Sequence, residues 1–274
     1  MLYQTTLTTW LTIYLTKMEA LIDMDLVCFR CAASAENDDL GIALYRANEL
    51  LDQILEKTQT SSYRAFLTGT NNFRKKIYPE YKANRTAPKP RHLEDLRKWA
   101  VKEANAEVAD DGLEADDMLG ILQHNAFVLK DVDMGGEDGY LGDGVYFHKP
   151  EETIICSLDK DLLQIPGKHF SWEINGKGWT RPDTFTEQSE LEGLRLFYEQ
   201  CIKGDRSDNI KGIEGMGEKK AKVLLSDAKT EKEMIDIVRH AYGNDEEFLM
   251  NASCLWILRN YDHYYKDHYA DIQE

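Results

Sequence analysis

The stretch TIICSLDKD, residues 153–161, decides the fold. Its apolar run, 153–158, reads as a buried strand, and two aspartates, Asp159 and Asp161, stand just beyond it. Two more apolar runs, ALI at 20–22 and RAFLT at 64–68, have the same character, and Asp23 follows the first. Helical patterns separate them. LGIALYRANELLDQILEK covers 40–57, and LEDLRKWAVKEANAEV covers 93–108 with Leu93, Leu96, Ala100 and Ala104 on one face. Strands alternating with helices predict an α/β fold, a mostly parallel sheet with helices on both faces. In such sheets ligands bind outside the carboxyl ends of the strands, so Asp23 and Asp159 occupy a functional address.

A chain of 274 residues accommodates one large domain, or one domain with an appended module. The formal charge of −16 argues against a nucleic-acid partner only if it is evenly spread. It is not: residues 74–102 hold ten Lys/Arg against three Asp/Glu, a local balance of +7, and residues 103–161 swing strongly negative. Five cysteines and no secretory leader point to a reducing, cytoplasmic setting. Cys28 and Cys31 form a CxxC without a second pair at zinc-finger spacing, and read as two small buried residues. Residues 1–17 are too polar and too short to span a bilayer, lack the features of a signal peptide, and read as an N-terminal extension. The acidic, glycine-rich segment at about 127–152 fails as an EF-hand: Gly135 and Gly142 stand where ligands are required, so a loop insertion is expected. From about 191 to 274 the pattern is helical, with ELEGLRLFYEQCIK, EKKAKVLL and EEFLMNASCLWILRNY as helices of a module packed on the 18–190 body.

Acidic clusters carry the strongest chemical signal: Asp23 and Asp25; Glu114, Asp116 and Asp117; Asp159 and Asp161; Asp205 and Asp208. Any one of them reads as solvated acids or a helix cap. Converging on one rim of a parallel sheet, they would repel one another unless cations intervened. Hard divalent ions take oxygen ligands, and a pair of them supports phosphodiester hydrolysis. Neither a GxSxG elbow nor a Walker GxxxxGK[ST] is present as a rival.

The basic element PEYKANRTAPKPRHLEDLRKW, 79–99, presents Tyr81, Lys82, Arg85, Lys89 and Arg91 among three prolines. It reads as a clamp for a single strand, with cations on phosphates and an aromatic face for a base. In GIEGMGEKKA, 212–221, Gly212, Gly215 and Gly217 form a hairpin ahead of a helix, where amides and the lysines Lys219 and Lys220 face an anion.

In their order, LIDMD, PEYKANR, GLEADDM, SLDKDLLQ and GDRSDNIKGIEGMGEKKA resemble the 5′-to-3′ exonuclease and flap endonuclease family, over roughly residues 18–260. Free-standing bacteriophage 5′ nucleases and the 5′ nuclease domain of bacterial DNA polymerase I belong to that family. The resemblance implies a PIN-like core, a basic arch at about 79–102 and a helix–three-turn–helix module. It implies two Mg²⁺ ions, with Mn²⁺ as a substitute, and K⁺ at the hairpin. Asp23, Glu114 and Asp116 would serve the first ion and Asp159, Asp161 and Asp205 the second, with Asp117 and Asp208 as further or water-mediated ligands. Lys82 and Arg85 would act on the scissile phosphate. The implied partners are DNA with 5′ ends, flaps or nicks and RNA–DNA hybrids, bound by a monomer away from any membrane. Gly69 stands where the family carries another metal-ligating Asp, which implies either a weaker first site or compensation by Asp25. A catalytically silent DNA-binding protein and a PIN-type ribonuclease are the alternatives.

Overall fold

A computed structural model describes residues 18–130 and 152–273, with the backbone of 140–141 and 145–146 between them. The expected extension, 1–17, and most of the acidic insertion lie outside the described residues. All three apolar runs are strands: β1 (Met18–Asp23), β2 (Ser62–Leu67) and, after the short β3 (Glu107–Val108), β4 (Glu152–Cys156). With β5 (Gly167–Ser171) and β6 (Thr184–Gln188) they build a six-stranded sheet in the order β6-β5-β4-β1-β2-β3. Every pairing is parallel except β5 with β6.

Alternate strand residues enter opposite cores. Leu21, Phe66 and Ile155 join one hydrophobic cluster, and Ala20, Ile22, Ala65, Leu67, Ile154 and Cys156 the other. That is the period-two pattern of a sheet buried on both faces. Helices α1 (Met24–Ser34), α2 (Leu40–Thr58) and, beyond the single turn α3 (Arg74–Ile77), α4 (Leu93–Lys102) contribute to the second cluster. The first is filled by α5 (Ala115–Lys130), α6 (Glu190–Lys203) and the C-terminal helices α7 (Glu218–Leu225), α8 (Glu231–Tyr242), α9 (Asp245–Leu255) and α10 (Tyr265–Gln273). The C-terminal module therefore shares one unbroken core with the sheet.

Two helices end earlier than their patterns predict. α4 stops at Lys102, because Asn105 takes a left-handed φ of 50° and turns the chain into β3. Leu93, Leu96, Trp99 and Ala100 are buried in the second core, so one face of α4 is core while its Lys98 and Lys102 stay exposed like the turn before it. α9 stops at Leu255, and the buried run Trp256–Leu258 is extended rather than helical. Side chains distant in sequence satisfy its backbone: Arg74 donates to the carbonyls of Cys254 and Trp256, while Gln164 and Asp117 accept from the amides of Ile257 and Leu258. No helix among the described residues is long and apolar enough to cross a membrane.

Candidate active site

The chain runs from β1 outward to β2 and β3, then returns to β4 on the other side of β1. Its switch point lies between β1 and β4, where a crevice opens at the strand ends. Pairing of Ile22 with Cys156 brings Asp23 beside Ser157, whose hydroxyl donates to Asp23 Oδ2 at 2.8 Å. Asp23 Oδ1 caps α1 by accepting from Leu26 N at 3.1 Å. Burial pushes the Asp23 carboxyl up to about 6, against these two hydrogen bonds and with Asp159 adding to the rise.

Asp159 accepts from Asp161 N at 2.9 Å and so caps the 3₁₀ turn Lys160–Gln164. Loss of water raises both carboxyls, Asp161 to about 7, and their acidic neighbours add to it. Asp116, in the first turn of α5, has no hydrogen bond or ion pair among the described residues. Burial, then Asp23, Asp159 and Glu114, push its carboxyl well above the ordinary value. Asp205 differs: against burial, hydrogen bonds from Ser207 and Gln200 hold it below the usual range.

The remaining acids have cations of their own. Glu114 takes the Lys82 ammonium at 2.5 Å and lies 3.5 Å from Arg74; against burial, these two hold it at about 2. Asp208 pairs with Arg85 at 2.6 Å and lies 3.8 Å from Lys82. The docking of residues 80–85 on the 205–209 loop extends to the backbone, where Lys82 N donates to Asp208 O at 3.0 Å and Arg85 Nε to Ser207 O at 3.1 Å. Lys89 pairs only with exposed Glu94, and the Arg91 side chain is exposed.

Four expectations are corrected. Asp117 is no candidate ligand: fully buried, it grips Arg74 through both oxygens at 2.7 and 2.8 Å and also accepts from Glu114 N and Leu258 N. Asp25 is paired with Arg97 and accepts from Thr68 N, so its charge is already offset within the protein and is not left over to compensate for Gly69. Tyr81 offers no face to a base, being only 2% exposed. Its hydroxyl lies 2.9 Å from both Glu114 and Asp208, two carboxylates sharing one proton donor. Gly212 packs against the backbone of Gly204 and Lys203, so close contact within the protein requires it. Gly215 does need its left-handed φ of 72°, Gly217 is open, and Lys220 closes the turn onto Gly215 O at 2.8 Å. α7 begins without a side-chain cap, which leaves amides for an anion beside Lys219.

Sequence reasoning missed Arg74, whose place at the head of the basic stretch gives no sign that it is 2% exposed. It also missed Ser157, which bridges Asp23 and Asp159 N. At Gly69 a side chain would stand against the carbonyl oxygens of Ala109 and Asp110, the latter at 2.7 Å. Gly69→Asp is therefore expected to lower the melting temperature and not to strengthen divalent-metal binding; calorimetry with and without Mg²⁺ checks both.

The candidate set thus contracts to Asp23, Asp116, Asp159, Asp161 and Asp205, acids with no arginine or lysine partner among the described residues. No three acidic, histidine or cysteine side chains among the described residues are already gathered as a metal centre. The fit to a hard divalent cation is one of donor chemistry and charge: unneutralised carboxylates, one of them unpartnered.

No protein-family model matches the chain. It is 30% identical over 227 residues to DNA polymerase I of Bacillus caldotenax, a similarity covering 76% of this chain and 23% of the polymerase. In structure it is similar to the flap endonuclease of bacteriophage T5 in a pseudo-enzyme–product complex with DNA and metal ions, with a TM-score of 0.60 and 16% identity over 86% of this chain and 88% of that one. The T5 5′-exonuclease with bound zinc gives a TM-score of 0.59 and 16% identity over 87% and 88%. At such identity these likenesses speak to the fold. The chain is thus similar in sequence to about a quarter of DNA polymerase I and has the fold of the T5 5′-exonuclease and flap endonuclease.

Proposed function

We propose that this chain is a divalent-metal-dependent 5′ nuclease that hydrolyses phosphodiesters at 5′ ends, flaps and nicks of DNA, and of RNA in RNA–DNA hybrids, as a cytoplasmic monomer. The observation that carries the reading is the sorting of acids at the switch point. Asp25, Glu114, Asp117 and Asp208 are neutralised from within, and Asp23, Asp116, Asp159 and Asp161 are not. Asp23 and Asp116 would hold one Mg²⁺ or Mn²⁺ ion, and Asp159, Asp161 and Asp205 a second. Bound there, such ions lower the pKa of water and offset charge on the phosphate.

The chain's own residues do the rest. Lys82 and Arg85 stand at the edge of this set and exchange Glu114 and Asp208 for oxygens of the scissile phosphate, where their charge favours the transition state. Ser157 holds Asp23 in one rotamer by its hydrogen bond. Gly215, Gly217, Lys219 and the α7 amides grip the duplex backbone away from the chemistry, with K⁺ as an auxiliary ion.

Lys82→Ala is expected to lower the cleavage rate about 10²- to 10³-fold with little change in DNA affinity, and single-turnover kinetics beside a binding titration separate the two. A 5′-labelled flap incubated with and without Mg²⁺ tests the whole reading. Cleavage only with metal supports it; tight binding without cleavage at saturating Mg²⁺ replaces it with a silent DNA-binding protein.

A further inference from the structure

The two strands at one edge of the sheet, β5 and β6, break its apolar pattern. His169 is paired beside Ile155, so it lies on the face that presents Leu21, Phe66 and Ile155 to the first core. Thr186 pairs with His169, and Thr184 with Ser171, which puts three hydroxyls on that face. A face meant only for packing would carry aliphatic residues there. Instead a cavity of about 230 Å³ lies over it, closed by Leu158 and Leu162 around the 3₁₀ turn. Its lining includes Ser157 and Asp159, so it opens onto the candidate active site.

Ser157, Asp159 and His169 are held by hydrogen bonds at the inner end of the lining, while groups nearer its mouth are less committed. Thr186 has no side-chain hydrogen bond among the described residues, and Thr184 makes one long contact, 3.4 Å, to Pro182 O. Arg181 donates to the Ser171 hydroxyl at 3.2 Å and pairs with no carboxylate among the described residues, because nearby Asp183 is taken by Lys57. Lys160, at the start of the turn, likewise has no ion pair among them. Two cations without a carboxylate ion pair among the described residues, a hydroxyl rim and an aliphatic floor beside a candidate phosphodiesterase site match a nucleoside carrying a phosphate. The volume holds one nucleoside and not a base pair.

We propose that this cavity binds a single unpaired nucleotide, with base and sugar between the 3₁₀ turn and the outer strands and its 5′-phosphate on Arg181 and Lys160. Its place in a reaction rests on the nuclease reading: the occupant is the terminal nucleotide of a 5′-phosphorylated strand, or the nucleoside monophosphate released from it. The pocket's existence as a binding site does not rest on that reading.

Isothermal titration calorimetry on the full chain in EDTA tests it, with deoxyadenosine 5′-monophosphate, deoxyadenosine and inorganic phosphate as separate probes. The monophosphate is expected to bind at least about tenfold more tightly than either fragment. Arg181→Ala should cost about tenfold in its affinity. Thr184→Trp, which fills the mouth from an exposed edge position, should weaken monophosphate and nucleoside alike. Both residues are exposed, so the variants keep the fold, and circular dichroism verifies this. No monophosphate binding, equal binding of phosphate alone, or full affinity in Thr184→Trp would each overturn the proposal. Flap cleavage by the unaltered chain with Mg²⁺ is measured in parallel. Cleavage without monophosphate binding sinks the pocket and leaves the nuclease reading standing; variant-sensitive binding without cleavage does the reverse.

Discussion

Replacing Asp116 with asparagine is expected to lower cleavage severely and to raise the melting temperature of the metal-free protein. Asp116 is held among Asp23, Asp159 and Glu114 without a hydrogen-bond partner, so its ionised form is penalised in the fold. Asparagine keeps the shape and removes the charge. The sign with pH follows from linkage. The native carboxyl titrates well above its unfolded value of 3.8, so the penalty is absent at low pH and grows as pH rises toward the native value. The stability gained by Asp116→Asn is therefore small near pH 4 and larger at pH 8. Addition of Mg²⁺ at pH 8 should raise the melting temperature of the unaltered protein and much less that of the variant. Cleavage should fall by roughly 10³-fold. Equal or lower thermal stability of the variant at pH 8 would show that Asp116 is structural, and that the sorting of acids by their internal cations is wrong.

Asp117→Ala, one residue away, should do the opposite. Its carboxylate carries the buried bidentate pair with Arg74 and accepts from the amides of Glu114 and Leu258. Removing it strands a guanidinium that is 2% exposed, at a cost of about 3–5 kcal/mol. In a chain of this size that corresponds to a fall in melting temperature on the order of 10 °C. Mg²⁺ should still bind, because the candidate ligands are elsewhere. Scanning calorimetry and a metal titration on the same sample read the two effects; loss of metal binding with unchanged stability would restore Asp117 to the ligand set.

These neighbouring acids show what the sequence reveals and what it hides. Apolar runs 20–22, 64–68 and 153–158 declare themselves because each strand is short, apolar and followed by a polar residue, and all three form the centre of the sheet. Asp23 and Asp159 are legible for the same reason, as residues at strand ends. Whether an acid is free or neutralised is not local. Arg74 reaches Asp117 across 43 residues, and Arg97 reaches Asp25 across 72. Counting carboxylates therefore overstates the ligand set. The same limit hides the end of α9: WILR looks helical until Arg74, Gln164 and Asp117 supply its backbone with partners. Tyr81 reads as a surface aromatic between charged residues, and only the fold turns it inward onto Glu114 and Asp208.

The strap of extended chain after α9 carries a consequence for biosynthesis. Glu114 precedes α5, Asp116 and Asp117 lie in its first turn, and Asp117 is fixed in part by Arg74 and the amide of Leu258. Arg74 in turn spends two of its donors on the carbonyls of Cys254 and Trp256. During translation every candidate ligand is synthesised before Cys254, Trp256 and Leu258. Until they arrive, the Arg74–Asp117 pair lacks its lid and the first turn of α5 lacks its brace. A nascent chain arrested before residue 254 would thus hold the full set of acids without the contacts that brace Arg74 and Asp117.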